Sequence, residues 1–207
     1  MIVALMAIGG VAVFTGWIVI AVGRASVWIV TGVVLGVLSA ASLATRRIVA
    51  SGHLGVGYAT AAGLGAGLAL YGATVAFVVL VRRWPVFERH VAEVYDQRKG
   101  LSLSLALLLA AGVVAPSEEV FWRGLFQGRA AQAFGSGAGF AVAWGVYIAA
   151  NAGSASLPIL AAAVVSGGVW GGLALWTHGV LAGLWCHTLW TALMLAWPPP
   201  GSPGGSS

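Results

Sequence analysis

Long apolar runs alternate with short basic breaks along this chain. Apolar residues run from Ile2 to Val22 and stop at Arg24, from Ala25 to Thr45 and stop at Arg46-Arg47, and from Leu54 to Val81 and stop at Arg82-Arg83. Each run has the length of a helix that crosses a hydrocarbon core, about 20 residues. Further spans are expected from near Leu101 through the 115–129 stretch, from Ala138 to Ala150, from Leu157 to Trp176 and from Gly179 to Trp197. Pro116 leaves too little helix before it for a crossing, so that span is expected to kink there and continue. The pattern predicts an all-α, polytopic transmembrane helical bundle of about seven spans. It forms one integral membrane domain over residues 1–197. The first run reads as a span and not a cleaved signal, because no basic segment precedes it. The tail "PPPGSPGGSS", residues 198–207, is expected to be disordered.

One stretch breaks the apolar pattern: "RRWPVFERHVAEVYDQRKG". Val86, His90, Val91, Val94 and Tyr95 fall on one helical face, and Glu88, Arg89, Glu93 and Asp96 lie mostly elsewhere. This predicts a short amphipathic helix at the membrane surface, with His90 interfacial. Arg82, Arg83, Arg89, Arg98 and Lys99 argue that this loop is cytoplasmic, while Arg46, Arg47, Arg123 and Arg129 argue the other way.

Composition agrees. Of the residues, 60% are hydrophobic and 7% charged, against about 25% charged in a soluble domain. The net charge of +5 does not indicate nucleic acid, because the basic residues are few and sit at span ends, where they meet lipid headgroups. The single Cys186 excludes an intrachain disulfide and reads as a packing residue. His187 projects about 100° away from it on a helix, so the two are not a dyad. The chain has 31 glycines. Gly32/Gly36, Gly63/Gly67, Gly167/Gly171, Gly168/Gly172 and Gly179/Gly183 have the spacing that lets helix backbones approach closely in lipid.

An ionisable group within a span costs about 2.5 to 3.5 kcal/mol. Glu118, Glu119, Arg123, Asn151, His187 and Thr191 are therefore the informative residues. Glu119 and Arg123 are four apart, the favourable order for a helical ion pair. At that spacing from Glu118 stands Trp122, so Glu118 is free to exchange a proton with water. A plainer reading is a helix start, with Pro116 in the first turn, Ser117 as cap and acids at the N-terminal dipole. That reading leaves Arg123, Asn151 and His187 unaccounted for. His178, in "WTHG", reads as interfacial.

The segment "EEVFWR" fits the EExxxR motif of the CPBP family of intramembrane proteases, which includes the CAAX prenyl endopeptidases and the Abi proteins. "YIAAN" at 147–151 stands where that family has FxxxH, and "HTLWT" at 187–191 where it has HxxxN/D. The resemblance covers about 101–197. It implies that Glu118 activates water, that Glu119 and Arg123 orient it, and that His187 donates to the oxyanion. Asn151 replaces the family His and Thr191 the family Asn or Asp. Asn can donate a hydrogen bond but cannot relay a proton.

The resemblance thus implies a glutamate-type membrane endopeptidase acting on a membrane-associated peptide or protein, with membrane lipid as its other partner. The alternatives are a catalytically weakened member serving as an immunity or scaffold protein, and a small transporter. No metal ligand set or cofactor motif is evident, HExxH included. The Arg-, Gly- and Ala-rich usage suggests a bacterium, hence a multi-pass protein of its inner membrane.

Overall fold

The computed structural model describes residues 2–81 and 83–200. Arg82 and most of the expected disordered tail, 201–207, lie outside the described residues. Among these there is no strand, and eight helices follow one another. They are α1 (Ile2–Ala21), α2 (Val27–Ala44), α3 (Gly55–Val81), α4 (Pro85–Asp96), α5 (Leu103–Phe134), α6 (Ser136–Asn151), α7 (Leu157–Thr177) and α8 (Leu181–Ala196). The chain is a multi-pass membrane protein built as a helical bundle. Four of these helices, α1, α2, α5 and α7, are long and apolar enough to cross a membrane, as is Gly52–Val81, which contains α3. At 16 residues each, α6 and α8 reach only about 24 Å, short of a core of about 30 Å. α8 is packed within the bundle, whereas α6 keeps one face exposed and buries Gly139, Ala143, Tyr147, Ala150 and Asn151.

Backbone contacts define the two ends of the bundle. The amides of Val180 and Leu181 donate to Val49 and Ala50 at 3.0 and 2.8 Å, which sets the α7–α8 turn beside the α2–α3 loop. At the other end the Trp28 indole donates to the Gln97 carbonyl at 2.7 Å.

The amphipathic α4 lies at this second end and ties two other helices down. His90 Nδ1 accepts from the Leu157 amide at 3.2 Å, where α7 begins. Tyr95 and Arg98 donate to the carbonyls of Met194 and Leu195, both at 3.0 Å, where α8 ends. These side chains satisfy backbone groups that a helix end leaves open, and Arg98 sits at the negative end of the α8 dipole. His90 is thus a half-buried cap at the start of α7.

α5 continues through Pro116, so the Glu118 region is the middle of a helix and not its start. The accommodation is a change of register more than a break. Segments Leu108–Val114 and Glu119–Gln127 are π-helical, with α-helical turns between and beyond them. Proline offers no N–H to the carbonyl four residues back, and widened turns flank it. α5 ends at Gly135, whose φ of 85° is open to glycine and costly for other residues. That single residue turns the chain into α6.

Glycines set the closest helix contacts, as lipid packing requires. α3 packs chiefly on α8. A Cβ on Gly63 would collide with the Ala182 carbonyl, and one on Gly67 would stand 3.0 Å from the Cys186 carbonyl. Gly32 and Gly36 differ, with no neighbouring atom within 4 Å of such a Cβ. They lie on an open face of α2 and set no contact between helices.

Gly63→Ala should therefore destabilise by about 1 to 3 kcal/mol through overpacking, and Gly65→Ala, with open space around it, should not. Thermal melts in detergent check this. Equal melting of both variants would show that α3 and α8 are not held at glycine distance.

Candidate active site

The middle of α5 is enclosed on nearly every side. Glu119, Phe121, Trp122, Arg123, Leu125, Phe126 and Gln127 are all buried. Phe121, Trp122, Leu125 and Phe126 form the apolar core with Leu35 of α2, Tyr147 of α6, Trp170 of α7 and Cys186 of α8. A helix surrounded this way can carry charge only if other buried groups meet it.

They do. Glu119 is 0% exposed. Its Oε1 faces Arg123 Nη1 at 3.2 Å and His187 Nδ1 at 2.9 Å. Arg123 uses Nη2 to donate to the Gly167 carbonyl at 3.0 Å. Its guanidinium lies 4.4 Å over the Tyr147 ring and 5.3 Å from that of Trp170, geometry that favours a desolvated cation. Trp170 stacks on His187 at 3.5 Å with 14° between the rings. One turn on, Gln127 Nε2 donates to the Gly171 carbonyl at 2.9 Å. Arg123 and Gln127 thus climb α5 in step with Gly167 and Gly171 on α7. Glycine is needed there: a Cβ on Gly167 would stand 2.8 Å from the Tyr147 ring and 3.4 Å from Arg123 Nη2. Gly183 does the same on α8, since its Cβ would stand 2.8 Å from Glu119 Oε2.

Glu118 is held differently. Its Oε2 accepts from the Tyr147 hydroxyl at 2.9 Å. The side chain borders a crevice of about 10 Å³ between α1 and α2, lined by Val13, Gly16, Trp17, Thr31, Val34 and others. That is about the room one water needs. So the two adjacent carboxylates have separate surroundings: Glu119 is ion-paired and enclosed, and Glu118 borders an opening. Two carboxylates and one guanidinium leave one negative charge.

The structure brings Glu118, Glu119, Arg123 and His187 together. Asn151 is buried, and its Nδ2 donates to the Tyr147 carbonyl of its own helix at 2.9 Å. It reaches Glu118 through Tyr147 and makes no hydrogen bond to the carboxylate. Thr191 is half-buried and takes no part in this network. Tyr147, Trp170 and Gln127 are the residues that sequence reasoning did not single out as site groups. Tyr147 stood only as a substitute for Phe. The signal for Gln127 was present in the spacing of Glu119, Arg123 and Gln127, each four apart. Trp170 gave no such signal. Cys186 is fully buried in the core, as a packing residue should be. His178 is exposed and packs against His53, ring centres 5.0 Å apart. Among the described residues no three His, Cys, Asp or Glu side chains form a metal-ligand group.

The helical membrane bundle thus holds a buried Glu-Arg-His cluster, with a second carboxylate beside a water-sized opening. Residues 100–193 match the family described as type II CAAX prenyl endopeptidase Rce1-like. Over that stretch, somewhat under half of its length, the chain is similar to this intramembrane protease family. The match takes in α5 to α8 almost whole and leaves α1 to α4 outside it. No curated protein and no solved structure matches the chain.

The unequal surroundings predict unequal variants. Glu119→Gln leaves Arg123 without its buried partner and should cost about 3 to 5 kcal/mol. Glu118→Gln keeps an acceptor for the Tyr147 hydroxyl and should melt close to wild type. Melting curves in detergent test the pair, and coincident curves would sink the division of roles.

Proposed function

We propose that the chain is an intramembrane endopeptidase in which Glu118 activates water. What carries this reading is the division between the two carboxylates, one paired through a single oxygen with Arg123 and His187 and the other bordering a crevice with room for about one water. Glu118 takes a proton from that water as its oxygen attacks the carbonyl carbon of a membrane-associated peptide or protein. The same proton passes to the leaving nitrogen as the C–N bond breaks. His187 Nδ1 is engaged on Glu119, so Nε2 is the ring atom that stabilises the oxyanion. Glu119 and Arg123 fix the ring and the helix. Tyr147 orients Glu118, and Asn151 acts through Tyr147 as a positioning residue. Thr191 retains a hydroxyl on the α8 face that follows His187, one turn away. The setting is a bacterial inner membrane.

A second reading rests on Asn151. Its amide is committed to a backbone carbonyl, and it cannot relay a proton as the family His can. The chain is then a weakened member that binds its target without cutting it.

One experiment separates the two: cleavage of a membrane-anchored reporter by variants matched for expression. For an enzyme, Glu118→Gln should abolish cleavage, and Tyr147→Phe should lower kcat with little change in KM. Asn151→His should raise the rate, toward the roughly 10²- to 10⁴-fold that general acid–base help supplies. Wild type that cuts nothing, with Asn151→His restoring activity, favours the weakened member. Cleavage that survives Glu118→Gln would remove Glu118 as the base.

A further inference from the structure

The second opening in the bundle lies away from Glu118. A pocket of about 200 Å³ sits where the α2–α3 loop, the last turns of α5, the start of α6 and the α7–α8 turn meet. Arg47 and His178 are exposed at its mouth, and Arg129 is half-buried beside them. Gln127 and Gln132 line the wall, and the buried Arg123 forms the floor. The charge of this pocket is one-sided. The chain has 5 acidic residues. Glu88, Glu93 and Asp96 are on α4 at the opposite end, and Glu118 and Glu119 belong to the buried cluster. Arg47 has no acidic partner among the described residues, and the Arg129 guanidinium donates to the neutral Gln132 side chain. Arginine is suited to a phosphate, which its planar fork can grip through two parallel hydrogen bonds.

We propose that this pocket seats the phosphate of an anionic phospholipid headgroup. Its position favours a lipid over a soluble anion. It is built from helix ends at one face of the bundle, the level of the headgroups in a multi-pass protein. Val49, Phe134 and Trp176, from the same helix ends, are each at least half exposed and offer apolar surface to the acyl chains. The space exceeds one water several times over and suits a phosphate with its ester arm. Basic pockets between membrane helices hold lipid headgroups by this chemistry. Arg123 lines the pocket and also pairs with Glu119, so the ion cluster and the lipid would share one guanidinium.

The test is native mass spectrometry of the delipidated full-length protein, titrated with a phosphatidylglycerol, a phosphatidylcholine or inorganic phosphate. Phosphatidylglycerol should bind several-fold more tightly than phosphatidylcholine. Arg47→Gln and Arg129→Gln should each weaken it about fivefold, while Arg83→Gln and Arg89→Gln, exposed at the α4 end, should leave it unchanged. If Arg129→Gln lowers the melting temperature, the exposed Arg47→Gln alone decides. The proposal is overturned if the two lipids bind equally, or if the α4-end variants lose as much. It is also overturned if inorganic phosphate at the same concentration displaces the lipid, which would mark a site for free phosphate. None of these readings depends on peptidase activity.

Discussion

One oxygen atom organises the second half of this molecule. Glu119 Oε1 receives both Arg123 and His187 in a place without solvent. An unpaired carboxylate there would be prohibitively costly, so α5 and α8 must meet at this register. Arg123 then reaches on to the Gly167 carbonyl and brings α7 to the same level. Gln127 repeats the contact at Gly171 and fixes the direction in which the two helices run together. A single buried charge thus sets the relative height of three helices, something apolar packing in lipid specifies poorly.

That register depends on the absence of side chains as much as on their presence. Gly167 and Gly183 leave room for Arg123, Tyr147 and Glu119 where any Cβ would intrude. Gly63 and Gly67 let α3 close over α8 from outside. In a bilayer, apolar surface gains little by leaving lipid, so close contact and hydrogen bonds must supply the association. Glycine enables both, by shortening the helix separation and by baring the carbonyls that Arg123 and Gln127 use.

The cluster is approached from two sides with contrasting chemistry. Glu118 borders a narrow apolar crevice between α1 and α2, and Arg123 forms the floor of a wider basic pocket at the loop end. Glu119 pairs with the arginine of the pocket and follows Glu118 of the crevice in sequence. Helices outside the matched domain therefore shape access to it: α1 and α2 frame the crevice, and the α2–α3 loop contributes Arg47 to the pocket. α4 contributes stability more than access, by capping α7 and α8 at the far end.

The helical membrane class was legible in the sequence because hydrocarbon imposes length and composition directly: apolar runs of spanning length, with basic stops, have no other stable form. The amphipathic α4 was legible for the same reason, and so was the Glu119–Arg123 pair, since four residues on one helix is a local distance. Pro116 announced a disturbance, but the π-helical turns that absorb it depend on neighbours pressing from every side. Local spacing could not tell which glycines touch another helix: Gly63 and Gly32 look alike in sequence, and only the first meets a neighbour. Nor could it join His187 to Glu119, turn the Tyr147 hydroxyl onto Glu118, or commit the Asn151 amide to its own helix. Those contacts join residues on different helices, or choose among rotamers on one, and the choice is made by packing. The chain determined which residues were too polar for the membrane, and the tertiary structure decided which of them answer one another.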